Sequence, residues 1–164
     1  MPPLRWTDIH NNYILICQEQ LTIKKTENIP EHFEIVGHTK TYKNRKFPIT
    51  DELEDFLKRL KNIHETYYPA SEYLFPAKTE NGCITNNCVY NYFRRICRKE
   101  NIRISKEAIK GTHAFRRTRI TEAINKSGGN IVMASELFGN SPEVAKKYYY
   151  TGIDLEEARG ILNN

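Results

Sequence analysis

The sequence predicts an α+β chain, mainly α, with a small antiparallel sheet near its amino terminus. Three observations carry that expectation. Short β-branched and aromatic runs separated by turn-forming residues occupy the first fifty positions. Beyond Pro48 the apolar residues switch to helical spacing. From there on, segment boundaries carry helix-capping residues or glycine. At 164 residues the chain has the length of one domain, so a single domain over 1–164 is expected.

Tyr13 to Glu19 reads YILICQE and is expected to be extended, as are Glu34 to Gly37 and Lys46 to Ile49. The charged stretch IKKTENIPEH between them, with Pro30, reads as a surface loop. TYKNRK joins two of the strands through Lys43 and Asn44, which tolerate a tight turn, and this puts Lys40 on or beside a β-hairpin. After Pro48, residues Leu53, Phe56, Leu57, Leu60 and Ile63 follow helical spacing. Thr50 is the N-cap, and Asp51 and Glu52 sit in the first turn, where the helix dipole favours acids.

Tyr67 to Gly82 reads as a loop around Tyr73, Leu74 and Phe75. A second helix begins near Thr85, with Val89, Tyr92, Phe93 and Ile96 as its apolar side. Arg94, Arg95, Arg98 and Lys99 form a basic flank, which is either a solvated face or a phosphate-binding one. Gly111 and Thr112 lead into a helix marked by Phe115, Ile120, Ala123 and Ile124 and closed by Gly128 and Gly129. Asn130 caps a short helix through Leu137 and Phe138. Ser141 and Pro142 cap and open the next one, which ends among Tyr148, Tyr149 and Tyr150. Asp154 starts a terminal segment with Leu155, Ala158, Ile161 and Leu162 on one side.

The balance of 39% hydrophobic and 27% charged residues argues against a disordered chain and against a membrane-embedded one. Lys and Arg outnumber Asp and Glu by 25 to 20, a net charge of +5 that suits a polyanionic partner. No apolar run reaches the length of a bilayer span, and the start MPPLRWTDIH lacks the charged and apolar regions of a signal peptide, so a cytoplasmic location is expected. Cys17, Cys83, Cys88 and Cys97 form no Cys-x-x-Cys pair and are expected to be reduced thiols. A metal site from Cys83, Cys88 and His64 would need irregular spacing, so no metal site is expected.

Breaking a phosphodiester without a metal requires a nucleophile, cationic donors around the non-bridging oxygens, and a proton donor for the departing hydroxyl. His113 and Arg116, in HAFR, lie three apart at the start of a helix, so both can face one phosphate. The planar guanidinium of arginine pairs two phosphate oxygens at once. Alone, His-x-x-Arg is a weak signal that a surface histidine and arginine would also produce.

Its surroundings are specific. The stretch GTHAFRRTRITEAINKSGGNIVMASELFGNSPEVAKKYYY resembles that of tyrosine recombinases of the phage or conjugative-transposon integrase type. There a His-x-x-Arg helix is followed by a glycine, a short helix, Leu-Gly-His-Ser and the nucleophilic tyrosine, about nine or ten residues past the second histidine. This chain reads Phe138, Gly139, Asn140, Ser141, and the ninth residue after Asn140 is Tyr149. The resemblance thus implies a tyrosine-recombinase catalytic-domain fold with Tyr149 as nucleophile, Tyr150 being second choice and Tyr148 third. Asn140 replaces the expected histidine or tryptophan. Its amide donates a hydrogen bond but shuttles no proton at neutral pH, and the alternative is a helix-capping role.

Upstream, HTKTYKNRKFPI resembles the family's β-hairpin segment, which implies that Lys40 protonates the leaving 5′ oxygen. Lys43, Arg45 and Lys46 would contact the DNA backbone or solvent, with Arg94, Arg95 and Arg117 as further DNA-binding candidates. LRWTDI matches the family's Leu-x-Trp-x-Asp-Ile segment, which follows a first catalytic arginine by about nine residues. Counting back from Trp6 passes Met1, so the resemblance implies a domain lacking its amino-terminal part, with little or no strand exchange by itself.

The expected function is site-specific DNA recombination through a 3′-phosphotyrosyl intermediate. No cofactor is implied, and the implied partners are double-stranded DNA and other recombinase protomers, with no membrane. The rival readings are a noncatalytic DNA-binding remnant and a type IB topoisomerase-like relaxing enzyme.

Overall fold

The computed structural model describes residues 3–102, 113–150, 152, 159, 160, 162 and 163. Contacts divide the chain into two compact units, Met1–Ile96 and Cys97–Asn164.

The first unit opens with a 3-10 turn at Trp6–Asp8. Four strands follow: β1 (Tyr13–Ile16), β2 (Glu19–Ile23), β3 (His32–Val36) and β4 (Arg45–Pro48). β1 pairs antiparallel with β4, from Tyr13 opposite Pro48 to Ile16 opposite Arg45. β2 and β3 form a second antiparallel ribbon, from Glu19 opposite Val36 to Ile23 opposite His32. Of the charged stretch read as a loop, Lys24 to Glu31 is the exposed tip of this hairpin, while its ends, Ile23 and His32, are paired strand residues. YILICQE, expected as one strand, is instead broken at Cys17 and Gln18 because its two ends take different partners. TYKNRK likewise runs from β3 to β4 without closing a hairpin between them, since β3 belongs to β2 and β4 to β1.

Two-stranded ribbons are marginal by themselves, and here the β2–β3 ribbon is tied to the rest of its unit. Asn81 Nδ2 donates to the Phe33 carbonyl at 2.6 Å, and the buried Gln20 donates through Nε2 to Cys83 Sγ at 3.6 Å. The amino-terminal segment is strapped to the loop after the first helix: Trp6 N–H donates to the Glu72 carbonyl and Leu74 N–H to the Leu4 carbonyl, at 3.0 and 2.9 Å. The Trp6 ring meets His64 edge-on, with centroids 5.3 Å apart. His64 is buried, and its Nε2 lies 3.0 Å from the Tyr73 carbonyl. A carbonyl only accepts, so Nε2 carries the proton. Among the described residues, Pro3, Ile14, Leu57, Leu74 and Cys83 are buried apolar residues of this unit.

Helix α1 (Asp51–Tyr67) starts where the sequence predicts, with Thr50 Oγ1 accepting from Leu53 N–H. Leu57 and His64, seven apart and so on one face, are its buried residues, whereas Phe56 and Ile63 are exposed. The apolar stripe in the sequence is therefore wider than the face that is covered. Helix α2 (Asn86–Lys99) shows the same displacement: Cys97 is buried, while Tyr92 and Ile96, expected on the inner side, lie exposed. Thr85 Oγ1 accepts from Cys88 N–H at its start.

In the second unit, α3 (His113–Lys126), α4 (Ile131–Phe138) and α5 (Pro142–Tyr149) pack against one another. Ile120, Ile124 and Ala134 form their core, with Ala123, Ile131, Phe138, Tyr149 and Tyr150 packed around it. The expected punctuation is present. Gly128 and Gly129 take positive φ of 64 and 85° after α3, and Gly129 N–H returns to the Ile124 carbonyl. Asn130 Oδ1 accepts from Met133 N–H at 2.9 Å, and Ser141 Oγ from Val144 N–H at 3.3 Å. Gly111, Thr112, Asp154, Leu155, Ala158 and Ile161 lie outside the described residues, and Leu162 is exposed. No helix among the described residues is long and apolar enough to cross a membrane.

Candidate active site

The second unit brings four of the expected catalytic residues, His113, Arg116, Asn140 and Tyr149, onto or against one helix. His113 is the first residue of α3 and is exposed; Arg116, one turn on, is half-buried. The dipole and free N–H groups of such a helix start favour an anion. Arg116 Nη2 donates both to the Phe138 carbonyl and to Asn140 Oδ1, the latter at 2.8 Å. These two acceptors flank Gly139, whose left-handed backbone (φ 66°) closes α4. The turn is held by N–H bonds from Gly139 to the Glu136 carbonyl and from Asn140 to the Ser135 carbonyl. A side chain at position 139 would be strained at that φ, so glycine is what lets the chain turn tightly enough to aim both acceptors at Arg116.

The capping alternative for Asn140 does not hold. Ser141 directly precedes Pro142 at the first position of α5 and supplies the cap, leaving the Asn140 side chain to Arg116. With Oδ1 so used, Asn140 Nδ2 is buried without a hydrogen-bond partner among the described residues.

Tyr149 is the last residue of α5. Its ring lies half-buried against Ile120, Ile124 and Ala134, and its carbonyl accepts from Thr121 Oγ1 at 3.4 Å. Thr121 is five residues beyond Arg116 on α3, so this helix carries both the Arg116–Asn140 contact and the anchor of the tyrosine segment. Tyr150 also packs on the core, while Tyr148 is 54% exposed, with Lys147 Nζ 5.2 Å from its ring centroid.

The Ser141 cap also sets the charge at the start of α5. The hydrogen bond from Ser141, and then its own backbone N–H, hold the Glu143 carboxyl below the usual carboxylate range. A carboxylate whose folded pKa is depressed adds stability above its ordinary pKa, and that stability is lost as pH falls through the depressed value. Ser141→Ala is expected to cost about 1 kcal/mol at pH 7. It is also expected to flatten the acid side of the stability curve. Thermal melts of the two proteins at pH 7 and pH 3 check this: their gap should be smaller at pH 3.

The other candidate cations, Arg117 apart, lie in the first unit. Lys40 occupies the first central position of a turn closed by Tyr42 N–H to the Thr39 carbonyl at 2.8 Å. Thr39 Oγ1 donates to the Lys43 carbonyl, and the His38 and Tyr42 rings stack with centroids 4.2 Å apart. Lys40 therefore sits beside the β2–β3 hairpin in a turn of its own, with its side chain exposed. Lys43 and Lys46 are exposed and Arg45 is half-buried; Lys46 Nζ stands 4.5 Å from the Tyr13 ring centroid. On α2, Arg94 and Arg95 lie over Tyr90 and Tyr92 at 5.7 and 5.0 Å. Such pairing orders a cation without neutralising it, leaving both arginines able to meet phosphate. Arg117 is exposed on α3.

All four cysteines are free thiols, and burial pushes the Cys83 thiol up, so it stays protonated at neutral pH. Among the described residues no group of His, Cys, Asp or Glu is arranged to hold a metal ion, and the suggested trio of Cys83, Cys88 and His64 is not one. Two site features escape sequence reasoning. The Phe138 carbonyl is a backbone acceptor and leaves no residue signature, and Thr121 meets a partner 28 residues away.

The sequence matches the phage integrase family over residues 3–152. No curated protein sequence matches the chain. Among solved structures it is similar to the Tn1549 transposon integrase in complex with a circular intermediate DNA, with 21% identity and a TM-score of 0.71 over 98% of this chain and 52% of that chain. It is also similar to the XerH site-specific recombinase bound to a palindromic difH substrate in a post-cleavage complex, with 21% identity and a TM-score of 0.63 over 99% of this chain and 40% of that one. The chain thus has the fold of the tyrosine recombinase catalytic domain and spans about half the length of these solved chains or less.

Proposed function

Because the chain belongs to the phage integrase family, we propose that it cuts and rejoins double-stranded DNA at specific sites, working with other recombinase protomers on that DNA in the cytoplasm. On this reading residues 1–164 act as one catalytic domain with Tyr149 as nucleophile. The observation that carries it is the convergence on α3: Arg116 is bonded to Asn140, and the Tyr149 main chain is bonded to Thr121 on the same helix. The solved integrase and recombinase with this fold are DNA complexes, which supports DNA as the partner.

In the proposed reaction Tyr149 Oη attacks a DNA phosphorus. The new tyrosyl–phosphate bond forms as the bond from phosphorus to the 5′ oxygen breaks. The phenolic proton passes to solvent, and Lys40 gives a proton to the departing 5′ oxygen. Arg116 and His113 meet the charge that develops on the non-bridging oxygens. The products are a 3′-phosphotyrosyl link and a free 5′ hydroxyl. Attack by the 5′ hydroxyl of a partner strand reforms a phosphodiester and releases the tyrosine. The covalent link conserves the phosphodiester bond, so the scheme consumes no nucleotide cofactor. Lys43, Arg45, Lys46, Arg94, Arg95 and Arg117 are assigned to backbone phosphates, which makes affinity fall with salt.

The test is covalent trapping. The protein is incubated for hours with a pool of nicked duplexes of randomised sequence, in which cleavage releases a short strand and cannot reverse. The expected result is a denaturant-resistant protein–DNA adduct whose peptide map places the nucleotide on the segment Lys147–Tyr150. Because the trap is irreversible, a slow cleavage step still accumulates product. Reversible DNA binding with no adduct would replace this reading with a noncatalytic DNA-binding role.

A further inference from the structure

We infer that Asn140 is a positioning residue for Arg116, acting through its side-chain oxygen; this rests on the recombinase reading for its catalytic meaning, though not for its geometry. A guanidinium has five N–H donors and no acceptor. The amide end of Asn140 that faces Arg116 is therefore Oδ1, as the 2.8 Å contact has it. Arg116 Nη2 has two N–H groups, and its two acceptors are the Phe138 carbonyl and Asn140 Oδ1. Both hydrogens of that nitrogen are thus committed to the protein, while Nε and Nη1 make no such bond among the described residues and are the donors assigned to a ligand.

The clamp is fixed from behind. Phe138 and Asn140 are separated only by Gly139, whose left-handed backbone is locked by the bonds that close α4. Two acceptors on one rigid turn define the position of Nη2 and, because the group is planar, restrict its swing about that point. A single acceptor would leave the plane free to rotate. Folding of α5 makes no use of this side chain, because Ser141 provides the cap. What Asn140 contributes is the second fixed point for Arg116. An arginine held in place before the substrate arrives stabilises a transition state without first being ordered.

Two measurements decide the matter. The first needs no DNA: the side-chain N–H signals of Arg116 in nitrogen-15 NMR report how firmly the guanidinium is held. Asn140→Ala should speed exchange of these protons by about tenfold or more, while Asn140→Asp, which keeps the oxygen acceptor, should hold it within about threefold of the parent. Equal exchange in parent and Asn140→Ala would overturn the clamp.

The second is a double-mutant cycle on the rate of covalent trapping. Asn140→Ala alone should slow adduct formation by about 10- to 100-fold with DNA affinity changed less than about twofold. In an Arg116→Ala background the same change should cost less than about threefold. A full and independent loss there would make Asn140 a group that touches the phosphate itself, and the positioning role would fall. Absence of adduct in the parent protein would sink the recombinase reading alone, since the NMR measurement still decides whether Asn140 holds Arg116.

Discussion

Tyr149→Phe is expected to lower covalent trapping by about four orders of magnitude or more, to the limit of detection, while leaving DNA affinity unchanged. The substitution deletes one hydroxyl. The ring that packs on Ile120, Ile124 and Ala134 stays, as does the main-chain carbonyl held by Thr121, so the fold should be undisturbed. Tyr150→Phe and Tyr148→Phe serve as the internal comparison and should each keep the adduct. Tyr148 points to solvent beside Lys147, and Tyr150 packs on the same core from beyond the end of α5. Should trapping survive Tyr149→Phe and vanish with Tyr150→Phe, the nucleophile is one residue further along. If all three variants bind DNA as the parent does and the parent gives no adduct either, the tyrosines are packing residues and the chemistry must be abandoned.

Much of this arrangement is legible in the sequence, and the reason is range. Thr50, Asn130 and Ser141 cap the helices they were expected to cap because a cap bond spans three residues and leaves its signature next to the helix it starts. The sequence marks three extended runs where four strands form: β2 is missed beyond Glu19, and the runs that are marked are wrongly joined. Tyr13 pairs with Pro48, and Glu19 with Val36, so the pairing depends on residues far apart in the chain, and β-propensity carries no record of the partner. Periodicity likewise marks an apolar stripe but not how much of it is covered, which is why Phe56 and Ile63 on α1 and Tyr92 and Ile96 on α2 stand exposed. Within the candidate site, the sequence places His113 and Arg116 on the first turn of one helix, and they lie there. Asn140 reads in the sequence as either cap or donor, and the structure engages its side chain with Arg116 while Ser141 caps α5. Its use as an acceptor could not be read at all, because it depends on a 24-residue loop-back that brings Arg116 beside the end of α4.

Removing Arg116 is the second large effect. Arg116→Ala is expected to slow adduct formation by about 100- to 1000-fold, the usual consequence of losing one preorganised donor to a developing oxyanion. The same substitution leaves the Asn140 oxygen without the donor it now has, and orphaning a partly buried acceptor costs about 1–3 kcal/mol of stability. A drop in rate could therefore be confused with partial unfolding, and Arg116→Lys separates the two. Lysine keeps a positive donor for the α4 end and so most of the stability, but it lacks the planar group that leaves Nε and Nη1 for the phosphate. Its expected loss is about 10- to 100-fold in rate with a melting temperature close to that of the parent. DNA binding gives a third handle. Either variant should weaken affinity modestly and equally across sequences, lowering the slope of log affinity against log salt by about one. If Arg116→Lys cleaves as fast as the parent, a point charge suffices there, and the geometry that Phe138 and Asn140 impose on the guanidinium has no part in the reaction.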